Sequence, residues 1–343
     1  MKITDLCTLS PHEILRIAGE DQFSLTQALK ITNSVYKKRI NDLDEIPGIP
    51  RKLADKLKEN CRPGIFYPLS SEKSSDRSVK YLFRDDDGLY FETVWMPGDK
   101  RNTVCVSVQS GCRMGCSFCE TGKYGFHGNL SVRSIISQVL GLPESERVTH
   151  IVFMGMGEPL DNLDNVLKAC EIITAEWGLA LGSAKVTVST VGITPAIETF
   201  LLKTQCNLTL SLHSPFSNER KKLIPVENRY PFASVIDLLR NFPVKKKRRL
   251  SIAYVMMEGV NDSDAHLAEL KSLLAGSGIR VNLLPYHRGS NDVFQPSPRG
   301  TMLRFKHELV ISGISASIRE SRGADISAAC GLLASGADDI VFS

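Results

Sequence analysis

The sequence predicts an α/β fold, a partial (β/α)6 barrel of the TIM type with a small helical domain before it. Short runs of β-type residues alternate with helical patterns from about residue 104 to residue 318, which is typical of a parallel sheet covered by helices. Six or seven such units are too few for a closed eight-stranded barrel. Cysteines and polar residues follow the predicted strands, where barrels of this kind bind their ligands.

Length and composition exclude several classes of protein. With 343 residues, of which 42% are hydrophobic, the chain can form one large domain and a small one, and it is neither disordered nor collagen-like. The sequence contains no apolar run long enough to span a membrane, and its first residues lack the apolar core of a signal peptide. We therefore expect a cytoplasmic protein without membrane contact. The net charge of +4 is compatible with RNA binding but does not require it.

The first 62 residues predict a helical accessory domain. Ser10 and Ser24 are typical helix caps, and Pro47-Gly48 forms a break before a further helical pattern. A Pro-Gly turn between short helices suggests a helix-hairpin-helix-like unit, whose turn amides can either contact a phosphate or simply pack. Residues 63–98 predict a Ser-rich, charged linker over 69–78 and a β-hairpin over 81–96, which turns at Asp86-Asp87-Gly88.

Residues 99–335 then predict the barrel, and 336–343 a short tail. The strands are expected at 104–108, 150–154, 185–190, 208–212, 250–255, 281–284 and 315–318. Helices are expected between them, among others at 132–140, 163–175, 233–241 and 265–274.

The nine cysteines divide into two groups. Their odd number and uneven placement exclude a secreted disulfide framework, and Cys7, Cys61, Cys170 and Cys206 are interpreted as small buried hydrophobic residues.

Three further cysteines lie close together on one predicted loop. Cys112, Cys116 and Cys119 are spaced four and three residues apart, directly after the first barrel strand. Soft thiolates select zinc, copper(I) or iron–sulfur clusters. A structural zinc would take His127 as its fourth ligand, whereas a [4Fe–4S] cluster held by three cysteines keeps one iron open for a cofactor.

Polar residues at the ends of later strands complete the candidate site. Glycines after the second strand allow close backbone approach, and a carboxylate there can accept an ammonium group. The candidates are Gly157 and Glu158 after the second strand, Ser189 on the third, Ser211, Leu212 and His213 after the fourth, and His287 after the sixth.

Taken together, these motifs resemble the RlmN/Cfr family of radical S-adenosylmethionine rRNA methyltransferases. The similarity extends from about residue 81 to residue 335. The sequence stretches that carry it are Cys105–Cys112, the three-cysteine loop, Phe153–Leu160, Ser211–His213 and Arg322–Gly331.

The resemblance implies a role for each candidate residue. The three loop cysteines would bind a [4Fe–4S] cluster, and the strand-end residues would bind S-adenosylmethionine, although His287 stands where family members often have Asn. Cys330 would carry the transferred methyl group, Cys105 would form a transient disulfide with it, and Glu92 would act as general base. A radical derived from the cofactor would activate the methyl group, because adenine carbon 2 is too electron-poor to attack a sulfonium directly.

The resemblance also implies the substrates. Housekeeping members of the family modify carbon 2 of adenine, whereas antibiotic-resistance members modify carbon 8. We expect the carbon 2 reaction on 23S rRNA and on the adenine beside the anticodon of some tRNAs. Basic runs at 220–222 and 245–249 could hold phosphates. A reductant such as flavodoxin and a monomeric state are also expected. The alternatives are the carbon 8 reaction and a non-enzymatic, zinc-containing ribosome-associated protein.

Overall fold

The computed structural model of the protein describes residues 3–19, 22–243, 248–289 and 293–333. Its strands are β1 Thr4–Asp5, β2 Cys61–Arg62, β3 Ser70–Lys73, β4 Val79–Arg84, β5 Tyr90–Met96, β6 Thr103–Val106, β7 Gln109–Gly111, β8 Phe126–Asn129, β9 His150–Phe153, β10 Val186–Thr190, β11 Asn207–Ser211, β12 Leu250–Met256, β13 Arg280–Pro285 and β14 Ala316–Ile318. Its helices are α1 Pro11–Ala18, α2 Leu25–Lys38, α3 Arg51–Asn60, α4 Glu120–Tyr124, α5 Val132–Leu140, α6 Leu163–Thr174, α7 Thr194–Lys203, α8 Ser217–Leu223, α9 Phe232–Asn241, α10 Asp264–Leu274 and α11 Arg299–Ile311.

The predicted partial barrel is confirmed. One sheet runs in the order β14-β13-β12-β11-β10-β9-β6-β5-β4-β3, and all neighbours from β14 to β6 pair in parallel. On β10, Val186 and Val188 are fully buried under the outer helices, whereas Thr187 and Ser189 on the other face are half-buried. This alternation places an apolar layer outside and a polar lining inside the barrel.

An antiparallel extension precedes the first barrel strand. Strands β4 and β5 form the predicted hairpin, and β5 pairs with β6. The stretch 69–78, expected to be a linker, instead contains β3, which pairs with β4. All four residues of β3 are polar and exposed, so no alternation of apolar residues indicated a strand.

The N-terminal helices pack directly on the barrel. The predicted caps are confirmed, because Ser10 and Ser24 each form a capping box, with Glu13 and Gln27. Lys168 of α6 lies 2.8 Å from Glu13, and the N-terminal helices share one continuous hydrophobic core with the barrel. Gly48, with φ +71°, forms a turn at the predicted break. Contact of this turn with nucleic acid stays a prediction.

After β14 the chain returns to the barrel mouth. Asp325 accepts hydrogen bonds from Ser74 Oγ at 2.5 Å and from the Ser75 amide at 2.9 Å. The Glu120 amide of α4 donates to the Gly331 carbonyl at 2.7 Å. These contacts hold the segment that contains Cys330 beside the three-cysteine loop.

No helix in the described ranges is long and apolar enough to cross a membrane. The predicted tail and Lys245–Lys247 of the basic run lie outside the described residues.

Candidate active site

The three-cysteine loop is shaped by close backbone approaches. The Cys112 amide donates to the Gly125 carbonyl at 2.7 Å. Gly111 has φ +71°, and a Cβ on it would lie 1.7 Å from the same oxygen, so only glycine fits there. Cys119 closes a turn onto the Cys116 carbonyl at 3.2 Å and is followed immediately by α4.

The three thiols act on one another electrostatically. Burial raises the pKa of Cys112 to about 12 and that of Cys116 well above its ordinary value, and an ionised Cys119 raises both further. Three thiolates gathered in one loop therefore need a positive centre. Ser117 Oγ, inside the loop, is buried without a hydrogen-bond partner in the described residues. This donor set and the orphaned hydroxyl fit a bound iron–sulfur cluster.

A single metal ion fits less well. Among the described residues, no group of three or more His, Cys, Asp or Glu side chains converges on one ion. A tetrahedral zinc would hold its ligands about 2.0–2.3 Å away, whereas the thiolates of a cubane cluster bind different irons and stand farther apart. The zinc candidate His127 packs on Tyr124, with Nε2 3.2 Å from the Tyr124 carbonyl oxygen.

The loop after β9 holds Glu158 in a buried position. A Cβ on Gly157, which has φ +93°, would lie 2.5 Å from the Cβ of Gln109. The Glu158 carboxylate, 3% exposed, accepts hydrogen bonds from the amides of Leu160 at 3.1 Å and Val191 at 2.9 Å. Burial raises the pKa of Glu158 to about 7 despite these bonds.

The ends of β10 and β11 place hydroxyls and an imidazole side by side. Ser189 Oγ and Ser211 Oγ are 3.4 Å apart. His213 Nδ1 accepts from the Val255 amide at 2.9 Å, so the neutral ring carries its proton on Nε2. Burial, then the charge of Arg220, lowers the pKa of His213 to about 3, and the ring therefore stays neutral at physiological pH.

Arg220 joins these segments, and sequence reasoning missed it. The guanidinium donates to the carbonyls of Val191 at 2.6 Å, Ser211 at 2.9 Å and Leu212 at 3.1 Å. It also forms an ion pair with Glu227 at 2.5 Å, and both side chains are 0% exposed. Arg220 of the basic run 220–222 therefore cannot hold RNA phosphates, and that part of the prediction is wrong. No local sequence signal, such as a capping residue or a residue spacing, indicated that Arg220 would bind these carbonyls. The carbonyls belong to the ends of other strands and are distant from Arg220 in the sequence.

Cys330 and Cys105 lie within electrostatic range of one another. Cys330 is exposed to water, although the surrounding protein still raises its pKa by desolvation, and the charge of Cys119 raises it further. Burial raises the pKa of Cys105, and an ionised Cys330 adds to this. The two thiols, 225 residues apart in sequence, thus lie within electrostatic range. All nine cysteines are free in this structure, so the expected disulfide is not formed in it.

Glu92 lies on the same sheet face as Cys105. Cys105 pairs with Val94, two residues along β5 from Glu92, and residues two apart on a strand share a face. The Glu92 side chain is 3% exposed, and its Oε1 lies 3.4 Å from Lys80 Nζ. His287, by contrast, is bound to Ser321 Oγ, on the segment leading to Cys330.

The fold and this site define a radical S-adenosylmethionine protein. Residues 106–270 match the Radical SAM superfamily. A radical SAM methyltransferase from Sphaerobacter thermophilus superimposes with a TM-score of 0.88 at 36% identity, over 96% of this chain and 98% of that one.

Relatives define the family more closely. A probable dual-specificity RNA methyltransferase RlmN from Phocaeicola vulgatus is 42% identical over 94% of this chain and 91% of its own. One from Parabacteroides distasonis is 40% identical over 98% of both chains. A dual-specificity RNA methyltransferase RlmN from Halorhodospira halophila is 38% identical over 92% of this chain and 88% of its own. The chain belongs to the RlmN family of radical SAM RNA methyltransferases.

Proposed function

We propose that the protein methylates carbon 2 of adenine in 23S rRNA and in some tRNAs, with Cys330 as the methyl carrier. The observation that carries this proposal is the position of Cys330, beside the three-cysteine loop and within range of the Cys105 thiol. A radical enzyme without a covalent carrier has no use for a cysteine held there. The RlmN relatives support the RNA substrate.

Cys112, Cys116 and Cys119 would hold a [4Fe–4S] cluster, and Glu158 would accept the ammonium group of S-adenosylmethionine. Together the cluster and this cofactor would supply the methyl group and the one-electron chemistry that an electron-poor ring carbon requires. Gly157 leaves space for close backbone approach. The hydroxyls of Ser189 and Ser211, the backbone of Leu212 and the Nε2–H of His213 would surround the cofactor, with His287 at the edge.

The protein's own residues complete the transfer. Cys330 Sγ would take the methyl group from the sulfonium, whose own bond to that carbon breaks. After the methyl group has given up one hydrogen atom to the cofactor-derived radical, its carbon would bond to the base, and the adduct would release one electron. Glu92 would then accept the proton from the ring carbon, while the deprotonated Cys105 sulfur bonds to Cys330 Sγ. The bond from Cys330 Sγ to carbon breaks, and the released carbon keeps its electron pair and takes up a proton to become the methyl group. The resulting disulfide must be reduced before another cycle. Lys80 Nζ, 3.4 Å from Glu92 Oε1, places a positive charge beside that carboxylate.

The remaining parts of the proposal are a reductant such as flavodoxin, which would deliver electrons to the cluster, and a place in the cytoplasm, where its RNA substrates are found. Carbon 8 methylation is the second candidate function, because the Ser211–Pro215 and Val260–Ser263 stretches also resemble the resistance branch. The RlmN relatives favour carbon 2.

The test is anaerobic reconstitution with iron and sulfide, followed by incubation with a 23S rRNA fragment, S-adenosylmethionine and a reductant. We expect 2-methyladenosine in the nuclease digest by mass spectrometry. Only 8-methyladenosine would reassign the reaction, and a colourless, zinc-loaded protein that modifies no RNA would favour the non-enzymatic alternative. The variant Cys330→Ser serves as the inactive control.

A further inference from the structure

Four cationic side chains and one histidine gather in the barrel, away from the three-cysteine loop. Four of them stand where parallel strands begin: Arg101 two residues before β6, His150 at the start of β9, Lys185 directly before β10, and Arg249 directly before β12. The fifth, Arg319, directly follows β14. We call these five residues the basic cluster.

The register places the basic cluster on the lining of the barrel. His150 pairs with Thr103, which lies on the same face of β6 as Cys105 because side chains alternate along a strand. Arg319 reaches inward from the edge of the sheet, where its Nε donates to Asn282 Oδ1 at 3.0 Å. The cluster therefore faces the barrel interior at the end away from the cofactor site.

Arg319 and Arg249 lie within electrostatic range of Arg101. Burial lowers the pKa of Arg101, and the charges of Arg319 and Arg249 lower it further. Arg101 precedes β6 and Arg319 follows β14, and five other strands lie between β6 and β14 in the sheet. They can act on one another only because the sheet curves round and brings its two ends together.

His150 lies within the same field. Burial lowers its pKa, and the charges of Arg101, Lys185 and Arg249 each lower it further. Its own ring nitrogen Nδ1 contacts Thr149 Oγ1 at 2.9 Å, and no carboxylate is among the groups that act on it. The charges that act on His150 are therefore all positive.

The basic cluster takes no part in the ion pairs among the described residues. In the described part of the chain, none of the five forms an ion pair with a carboxylate, whereas Arg113, Lys168 and Arg304 elsewhere do. Four members are exposed and His150 is half-buried. Like charges brought together without a partner are unfavourable, and a polyanion would reverse that cost.

We propose that the basic cluster binds the phosphodiester backbone of the RNA substrate, as a second contact separate from the site where the base is modified. This inference rests on the proposed function for its RNA ligand. Unpaired, exposed cations from four separate segments suit a chain of phosphates, because each can contact a different phosphate. Contact at this end would hold a folded RNA in a fixed position while its target adenine enters the barrel mouth.

The experiment compares two double variants with equal loss of charge. Arg249→Gln/Arg319→Gln removes two members of the cluster. Arg299→Gln/Lys306→Gln removes two exposed cations of α11 that form no ion pair within the described residues. Binding of a 23S rRNA fragment is measured without turnover at a series of salt concentrations. Each lost phosphate contact should reduce the slope of log K against log salt by about 0.7–0.9.

We expect the cluster variant to reduce the magnitude of this negative slope by roughly 1.5 relative to the wild type. The α11 variant should leave the slope unchanged. Equal slopes for all three proteins would overturn the inference. Thermal melting with inorganic pyrophosphate tests whether the basic cluster is instead a site for a small anion. If pyrophosphate stabilises the wild type but not the cluster variant, and the RNA slopes are equal, the inference would also be overturned. Methylation by the wild type is scored separately, so failure of the proposed function is distinguishable from failure of this contact.

Discussion

Replacing Arg220 by Met should destabilise the protein strongly. The side chain is 0% exposed, and so is its ion-pair partner Glu227. Removing one partner of a buried ion pair costs about 3–5 kcal/mol, because the remaining charge stays buried without compensation. The three carbonyl hydrogen bonds of Arg220 each contribute roughly 1 kcal/mol. We therefore expect the free energy of unfolding to fall by about 6–8 kcal/mol.

Urea unfolding of the protein, followed by circular dichroism, measures this loss. The control is Lys221→Met, the exposed neighbour on α8, which should change stability by less than about 0.5 kcal/mol. The double variant Arg220→Met/Glu227→Met removes both charges and should recover most of the ion-pair cost. A single variant within about 1 kcal/mol of the wild type, or a double variant no more stable than the single one, would refute the reasoning. If the single variant does not fold, the double variant measured against the wild type still decides.

Four further predictions concern the site. Replacing all three cysteines of the loop by alanine should abolish iron binding and cofactor cleavage together; full iron content would contradict the cluster assignment. Glu92→Gln should still form 5′-deoxyadenosine but little methylated RNA, and normal turnover would remove its role as base. Because burial raises the pKa of Glu158 to about 7, the folded protein keeps a proton that the unfolded chain releases above its ordinary pKa. Stability should therefore fall between about pH 4.5 and 7, by about 3 kcal/mol, and Glu158→Gln should lack this loss in urea unfolding at pH 5 and 8. Finally, Cys105→Ala should accumulate a covalent protein–RNA complex on denaturing gels whereas Cys330→Ala should not, since only the carrier bonds to RNA; equal absence of the complex in both would make Cys105 an ordinary strand residue.

The sequence was sufficient to predict the elements that carry a periodic signal. Helix α5 has the predicted bounds, and the seven barrel strands lie within two residues of theirs, because their buried apolar faces leave a pattern along the chain. Strand β3 has no such face and was expected to be a linker. The pattern of a single segment cannot reveal a strand that is stabilised only by pairing at a sheet edge.

Arg220 shows the same limit at the site. In sequence it belongs to a run of three cations, and such runs usually face solvent. Its partners are the carbonyls at the ends of β10 and β11 and the carboxylate of Glu227, and they surround it only after the barrel has formed. The cysteines could be predicted because their chemistry is visible in their spacing, whereas the role of Arg220 depends on tertiary contacts alone.

Charge is distributed unevenly along the barrel, and the net charge of +4 conceals this. The mouth gathers groups that are anionic or can become so, among them Glu92, Glu158 and the thiols of the three-cysteine loop, and a cationic sulfonium cofactor and iron would be stabilised there. The other end gathers the basic cluster, whose members repel one another. Opposite fields at the two ends would attract the cofactor to one and an RNA backbone to the other, so the two ligands need not compete for the same surface. Position along the strands, not overall composition, produces this separation, because Glu158 and the three-cysteine loop follow strand ends whereas four members of the basic cluster stand where strands begin.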